Sequence, residues 1–452
     1  MDDDYVVLRI EGVTPAASGG LQGMTTMRSR VSGGGFDRQI AGLDGAGSGG
    51  RILFEAKAMR DTIIPPSAGA GAGADGLIIL TGDRPRMTAE RAQLSPAQLR
   101  EAVRDPQNVV SRAFPVAAIT LQGAASDGPP RVAAARAAGQ DWGLVTVGAD
   151  SAHLAGRAGD VVVAVLDSGI DRAHPAFPPD MDIVAESFVG GTAADTEGHG
   201  THCASLIFGR AADGVRLGVA PAIRKALVAK VFDGAGGSST AAVVNALAWA
   251  HREKANIVSM SLSFDFETMF RRLTLAGWDE SAAIWETLVR YRDAVDQLQR
   301  QIDVLRAATI DDPGILIVAA AGNQSRRDKE KPYSVRTGIP AAAAGVLSVG
   351  AVGRDGKIPA FSNINPVLVG PGVGVVGAKA GGGLVAMDGT SAATPYVAGL
   401  AALWWDALKA RNGRVTAEDV AANLRARSRR LADVDTDQQG SGLALAPPAD
   451  FG

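Results

Sequence analysis

The sequence predicts an α/β protein in which a mostly parallel sheet carries helices on both faces. The first observation is the continuous apolar run of residues 161–166, which is typical of a strand buried on both faces of a parallel sheet. The second is that similar runs alternate with helical stretches, as in an open α/β sheet. The strand runs are 226–231, 257–262, 315–320 and 345–349, and the helical stretches are 199–208, 238–252 and 291–307.

Residues 1–130 differ in composition, and we predict that they form a small α+β domain ahead of a larger domain at 131–452. Glycine and other small residues dominate 15–20, 33–50 and 67–75, a composition typical of flexible segments. Ser95 followed by Pro96 predicts the start of a helix that ends near Val103. Short strands are expected at Tyr5–Ile10, Arg51–Ala56, Leu77–Leu80 and Val116–Leu121.

The overall composition favours a soluble protein with a large core. Of the 452 residues, 46% are apolar, and 45 basic residues nearly balance 48 acidic ones, which gives no reason to expect nucleic acid or an anionic membrane as a partner. Cys203 is the only cysteine, so no internal disulfide can form. No apolar run reaches the ~18 residues of a membrane span, and the acidic start lacks the features of a signal peptide. We therefore expect a cytoplasmic protein, with leaderless secretion as the alternative.

Two polar residues stand where a predicted strand ends or a predicted helix begins. Asp167 directly follows the strand 161–166, at the edge where ligand sites of open α/β sheets form, although an aspartate there is equally typical of a turn cap. His199 lies between glycines that would leave its imidazole exposed at a helix start. A metal site with His202 and Cys203 is the alternative; we disfavour it because no cysteine pair or second motif completes the ligands.

Two further residues suggest a nucleophile and a partner for it. Ser391 lies in Gly389–Pro395, between small residues that lead into an apolar helix, where backbone N–H groups would face an oxyanion. Asn323 follows the strand 315–320, and its amide is suited to donate to a developing negative charge, although Gly-Asn by itself is more often a turn. With Asp167 orienting His199 as the base, these residues form a serine-hydrolase set in the order Asp, His, Asn, Ser.

Over roughly residues 140–450 the chain resembles the subtilisin-like serine proteases. The resemblance implies a serine endopeptidase that forms an acyl-enzyme on Ser391, acts on polypeptides and needs no cofactor for its chemistry. Its motifs in this sequence are Val165–Asp171 with His174-Pro175, Gly198–His202, Leu217–Pro221, Gly389–Pro395 with Val397–Gly399, and Gly440–Ala444.

The resemblance also implies substrate-binding segments, for which ordinary sheet residues are the alternative. They are Ser261, Leu262 and Ser263, then Ala320, Ala321 and Gly322, and an edge at Gly236 and Gly237 that would pair with extended substrate. Three departures from the family are a reshaped pocket mouth at Phe264, Ala392 after the nucleophile, and Ala176 in place of a calcium-binding aspartate. Cys203 is expected to be a buried core thiol.

The chain carries an insertion at roughly 264–286 that lengthens a helix of the family. Along that helix, from Ile284 to Leu305, apolar residues recur at alternating spacings of four and three and form a seam. We expect this seam to pack on the protein's own sheet or on Phe266–Leu275. Contact with a partner or self-association through the helix 284–305 is the alternative. The seam consists of Ile284, Leu288, Tyr291, Val295, Leu298, Ile302 and Leu305.

The resemblance implies that the N-terminal region is a prodomain that blocks the active site. Residues 114–121 would be its last strand, a linker at 122–140 would cross the site, and the mature enzyme would begin within 122–141. The alternative is a binding module that stays attached. The rival to an enzyme is a scaffold protein on a protease fold, held inactive by the N-terminal region and the insertion.

Overall fold

The computed structural model describes residues 4–11, 86–105, 107–118, 128–232, 238–307 and 312–451. Fourteen strands are present in this part of the chain. They are β1 Asp4–Glu11, β2 Arg86–Gln93, β3 Asn108–Arg112, β4 Val116–Ala118, β5 Val163–Asp167, β6 Asp182–Ser187, β7 Lys225–Lys230, β8 Ile257–Met260, β9 Leu262–Phe264, β10 Leu316–Ala320, β11 Leu347–Val352, β12 Leu368–Pro371, β13 Val375–Ala378 and β14 Leu384–Met387.

Ten α-helices lie in the same described ranges, and two short 3₁₀ turns accompany them at Ala152–Leu154 and Ala449–Phe451. The helices are α1 Pro96–Arg104, α2 Gly128–Ala138, α3 Trp142–Val147, α4 His199–Phe208, α5 Thr240–Arg252, α6 Phe266–Leu275, α7 Glu280–Arg306, α8 Thr390–Asn412, α9 Ala417–Ala426 and α10 Thr436–Gln439. None of these helices is both long enough and apolar enough to pass through a membrane.

The predicted α/β sheet is confirmed. Seven strands in the order β12-β11-β10-β8-β5-β7-β6 form one sheet, and every pairing in it is parallel. Side chains of β5 alternate between two cores. Val163 and Val165 join the core that contains α4 and α8, while Ala164 and Leu166 join the core that contains α5 and α7. A strand buried on both faces explains the continuous apolar run that predicted it.

The N-terminal region forms a small antiparallel sheet in the order β2-β1-β3, with α1 beside it. The predicted strand at Tyr5–Ile10 and the helix capped by Ser95 are confirmed, the latter by a capping box with Gln98. The strands β2 and β3 were not predicted, since β2 is largely polar and β3 is short. The predicted strands at Arg51–Ala56 and Leu77–Leu80 lie outside the described residues.

The insertion is a helical hairpin made of α6 and α7. Asp279 caps α7, which begins at Glu280 and runs for 27 residues, so the predicted helix at 291–307 is its C-terminal part. Leu298, Ile302 and Leu305 of the seam are buried in the core shared with α5, as expected. Ile284 and Leu288 at the other end are 45% and 47% exposed, so only part of the seam packs inward.

Candidate active site

Asp167 and His199 meet at the edge of the sheet where β5 ends. His199 is the first residue of α4, and its Nδ1 lies 2.7 Å from Asp167 Oδ1. The same oxygen accepts the backbone N–H of Ser168 at 2.8 Å. Gly200 makes this approach possible, since a Cβ there would lie 2.3 Å from the carbonyl oxygen of Gly169. The carboxylate therefore fixes the imidazole with Nδ1 inward and leaves Nε2 as the nitrogen available for chemistry.

Burial and charge act in opposite directions on His199. Removal from water lowers the pKa of this imidazole, but the adjacent Asp167 carboxylate raises it, and the balance places the pKa well above its ordinary value of 6.5. The neutral imidazole that can accept a proton therefore becomes the main species only on the alkaline side of that ordinary value.

Of the three side chains considered as an alternative metal site, His202 bonds to backbone, whereas Cys203 lies beside His199. The Nε2 of His202 faces the backbone oxygen of Val375 at 3.1 Å, and burial lowers the pKa of this histidine to about 4. Cys203 Sγ lies 3.9 Å from both ring nitrogens of His199 and 3.5 Å from the backbone oxygen of Ser391. Because burial raises the pKa of this thiol, Cys203 packs beneath the imidazole as a neutral side chain.

One end of the Asn323 side-chain amide is bonded to protein and the other end is not. Its Oδ1 accepts the backbone N–H of Thr390 at 2.9 Å and the hydroxyl of the same residue at 2.9 Å. Since a backbone N–H can only donate, these bonds fix which end of the amide is oxygen. The other end, Nδ2, is buried and has no hydrogen-bond partner among the described residues. A buried donor without a partner is rare, and it points to a group that is satisfied only when a ligand is present.

Ser391 is the second residue of α8 and lies beside that amide. A Cβ built on Gly389 would lie 2.7 Å from Ser391 Oγ and 3.1 Å from Asn323 Nδ2, so no larger residue fits between them. Gly389 also has φ +148°, a conformation that side-chain-bearing residues rarely adopt. The predicted set of four residues thus occupies one edge of the sheet.

The predicted substrate strand is already paired in this structure. β4 of the N-terminal region runs antiparallel to β9, with Ala118 opposite Leu262 and Ala117 opposite Ser263. Ser261, the preceding residue, donates its hydroxyl to the backbone oxygen of Ser391 at 3.1 Å. This strand therefore begins at the nucleophile and leads away from it.

The structure describes some of the remaining predicted binding residues. Ala320 ends β10, the next residue is Ala321, both are buried, and Gly322 follows with φ +112°. Gly236 and Gly237 lie outside the described residues.

Two positions that depart from the family also turn inward in this structure. The side chain of Phe264 packs in the core that contains α5 and α7, with its ring centroid 5.9 Å from that of Phe114. Ala176 is buried in the core that contains α4 and α8, and its methyl group offers no metal ligand.

Three residues around the site escaped the sequence analysis. Thr390 holds the Asn323 amide, Asp195 binds the start of α4, and Lys230 donates to the backbone oxygen of Ser168 at 2.7 Å. Thr390 and Lys230 bond to residues that are more than 60 positions away, whereas Asp195 bonds to backbone three to six residues ahead of it. Only the polar cluster around His199 gave a local signal, and it did not single out Asp195.

Comparison with known proteins identifies the class that this fold and site define. The model of the subtilase family, peptidase S8, matches residues 158–442. Since this is more than half of the 452 residues, the chain belongs to the subtilase family, a family of serine endopeptidases.

Several proteases are similar to this chain in sequence. The thermostable alkaline protease of Halalkalibacterium halodurans is 34% identical over 268 residues, which cover 58% of this chain and 62% of that protein. M-protease of Shouchella clausii is 31% identical over 314 residues, covering 68% of this chain and 69% of that protein. Subtilisin Savinase of Lederbergia lenta is 31% identical over 314 residues, which cover 68% of this chain and 97% of that protein. The solved structure of the prenylagaramide maturation protease PagA matches with a TM-score of 0.46 and 28% identity, over 65% of this chain and 93% of that one.

Proposed function

We propose that this chain hydrolyses peptide bonds through an acyl-enzyme on Ser391 and is made as a precursor that its own N-terminal region inhibits. The observation that carries the catalytic part is the unpartnered Asn323 Nδ2, held beside Ser391 while Asp167 holds His199. These are the parts that acyl transfer requires: a nucleophile, a base with an orienting acid, and a donor for the oxyanion.

In the proposed reaction, Ser391 Oγ attacks the carbonyl carbon of the scissile bond while His199 Nε2 takes the hydroxyl proton. The negative charge on the tetrahedral oxygen is stabilised by Asn323 Nδ2 and by the backbone N–H of Ser391. His199 then passes its proton to the leaving amine, the C–N bond breaks, and the acyl group stays on Ser391. A water molecule, deprotonated by His199, releases the acid and restores the hydroxyl. Asp167 stabilises the imidazolium throughout.

A fluorophosphonate probe tests the nucleophile directly. We expect the wild-type chain to be labelled, and Ser391→Ala to lose the label completely. Ser428→Ala, which removes a hydroxyl bonded only to backbone oxygens away from the site, is the control and should label normally. Equal labelling of wild type and Ser391→Ala, or none in either after limited proteolysis, contradicts the proposed chemistry and favours a scaffold on a protease fold.

The inhibitory part of the proposal is supported by the pairing of β4. On one side β4 pairs with β9, and on the other Val116 donates its backbone N–H to Ser238 at 3.3 Å. Just before this, the Thr240 backbone N–H donates to the backbone oxygen of Phe114 at 2.8 Å. An extended segment held between β9 and the backbone at 238–240 is bound as a peptide substrate would be, so it competes with one.

The chain is anchored again close to the nucleophile. Arg131 of α2 lies 3.6 Å from Asp388, three residues before Ser391, and α2 packs against β13 and β14. In the sequence, residues 119–127 connect β4 to this helix. We place the self-cleaved bond between these two anchored points.

The long helix α7 supports the N-terminal region in this pose. Gln297 of α7 is buried, and its Nε2 donates to the backbone oxygens of Val6 and Val109, at 2.9 Å each. The Ser111 hydroxyl donates to Gln297 Oε1 at 2.7 Å, and Arg112 forms an ion pair with Glu286 at 2.7 Å. The proposed partner of the long helix is therefore the chain's own N-terminal sheet.

Intact mass tests the precursor. We expect freshly purified wild type to lose an N-terminal fragment over time and Ser391→Ala to keep the full 46.2 kDa. A wild-type chain that is fully active at its full mass contradicts inhibition by the N-terminal region, while leaving the proposed chemistry intact.

A further inference from the structure

Asp195 connects the two elements that carry Asp167 and His199. It lies in the loop before α4, and its Oδ2 accepts the backbone N–H of Thr201 at 2.8 Å and the hydroxyl of that residue at 2.6 Å. Its Oδ1 accepts the backbone N–H of Gly198 at 2.8 Å. One carboxylate thus binds the first turn of the helix on which His199 stands.

The same carboxylate also binds the end of β5. Ser168, the residue after Asp167, donates its hydroxyl to Asp195 Oδ1 at 2.9 Å and accepts the backbone N–H of Gly200 at 2.8 Å. A continuous chain of hydrogen bonds therefore runs from the strand end to the helix start. Both ends of this chain are adjacent in sequence to a member of the Asp167–His199 pair.

A buried lysine also connects the end of β5 with the loop that carries Asp195. Lys230 is 5% exposed, and its Nζ donates to the backbone oxygen of Ser168 at 2.7 Å and to that of Ala194 at 3.0 Å. It therefore holds the residue before Asp195 next to the residue after Asp167. Asp195 is charged at neutral pH, because burial raises its pKa but bonds from Thr201, Gly198 and Ser168 outweigh that effect and lower it.

We propose that Asp195 is a positioning residue for catalysis, which sets the separation and angle of the Asp167–His199 hydrogen bond through Ser168 and the first turn of α4. The proposal rests on the catalytic roles given above to that pair. Without the carboxylate, the helix start and the strand end would keep only their packing, and the 2.7 Å bond between Nδ1 and Oδ1 would lengthen. A misplacement of ~1 Å in a catalytic group can cost ~10²-fold in rate.

Asp195→Asn tests this in the full chain, with rates expressed per site titrated by a fluorophosphonate. The amide places a donor against the donors of Thr201, so we expect kcat to fall about 10- to 100-fold with little change in KM. The rising limb of the pH profile should move to lower pH, because a weaker contact with Asp167 raises the pKa of His199 less. The downfield proton resonance of the His199 Nδ1–H bond should shift or disappear.

Ser168→Ala and Asp419→Asn separate positioning from simple stabilisation. Ser168→Ala removes both bonds of that hydroxyl, to Asp195 and from Gly200, and leaves the bonds of Asp195 to α4. It should therefore reproduce the pH shift with a smaller rate loss. Asp419 binds Thr416 at the start of the ten-residue α9, away from the site, so Asp419→Asn should lower the melting temperature alone.

Normal rates per titrated site and an unmoved pH limb in Ser168→Ala overturn the proposal, whether or not Asp195→Asn folds. If Asp195→Asn lowers only the melting temperature, as expected for Asp419→Asn, Asp195 is a helix cap and nothing more. Absence of Ser391-dependent labelling in the wild type would instead contradict the proposed function.

Discussion

The two faces of the central sheet hold their functional groups in different ways. On the face of α4 and α8, polar groups approach backbone closely through glycines, as where Gly200 meets Gly169. On the face of α5 and α7, long side chains cross between α7 and the N-terminal sheet, Gln297 from the helix and Arg112 from β3. The first arrangement is encoded in short motifs, and the second depends on residues nearly 300 positions apart, as between Gln297 and Val6.

This difference teaches that the proposed chemistry and its proposed control are separable. Contacts on the first face hold the Asp167–His199 pair in its hydrogen bond, and their loss should change rates. Contacts on the second face hold one folded unit against another, and their loss should change when the site opens. Substitutions on the two faces should therefore affect different measurements.

The largest effect is expected for Asp167→Asn. An amide at this position leaves the imidazole in the wrong tautomer, and loss of the acid in a serine protease triad costs ~10⁴-fold in kcat. Wild-type activity should rise with pH along a limb that lies above pH 6.5, because protonated His199 cannot accept the serine proton and its pKa is raised. In Asp167→Asn the charge that raises this pKa is gone, so the residual limb should move to lower pH.

Rates of a chromogenic peptide from pH 5 to 10 measure both effects, and Asp213→Asn, an exposed carboxylate paired with Arg136, serves as the control. A wild-type limb below pH 6 would contradict the role given to the carboxylate.

Asn323→Ala should have the next largest effect on the same face. It removes the Nδ2 donor, and the corresponding loss in subtilisin itself is ~10²–10³-fold in kcat. Thr390→Val keeps the backbone N–H but removes the hydroxyl that also holds Oδ1, so its loss should be smaller. KM should be nearly unchanged in both, since the donor is used as charge develops. A raised KM with normal kcat would show that the amide binds substrate instead.

On the other face, Gln297→Leu should shorten the lag before full activity, during which the N-terminal fragment still blocks the site. The leucine removes the hydrogen bonds of Gln297 to the Ser111 hydroxyl and to two backbone oxygens, at a cost of about 1–3 kcal/mol for each group that stays buried without another partner. The cleaved N-terminal fragment should dissociate at least tenfold faster, as size-exclusion chromatography and the lag before full activity will show. Gln299→Leu, on the same helix but bonded to Asp303, is the control. An unchanged lag would mean that other contacts retain the fragment.

The residues that could be predicted from the sequence also differ between the two faces. Asp167, His199, Asn323 and Ser391 could be found because each follows an apolar strand or starts a helix, and such ends meet at one sheet edge. Thr390 could not, because its contact with the Asn323 side chain joins residues 67 positions apart. Asp195 could not, because its bonds to Gly198 and Thr201 are those of an ordinary helix cap and its link to Ser168 depends on tertiary packing. β2 was missed for a related reason: its sequence is polar, and its pairing with β1 defines it as a strand.

The smallest effect is expected for Trp285→Ser, at the tip of the insertion. Trp285 is 71% exposed, so its loss should change the free energy of unfolding by less than about 0.5 kcal/mol and leave kcat and the lag unchanged. Sedimentation velocity at several concentrations then addresses self-association through the helix 284–305. If wild type and variant sediment alike as single copies, the long helix has only its intramolecular role. A concentration-dependent species that Trp285→Ser removes would assign the exposed end of the seam to contact between copies, while the inner end, from Leu298 to Leu305, still packs in the core.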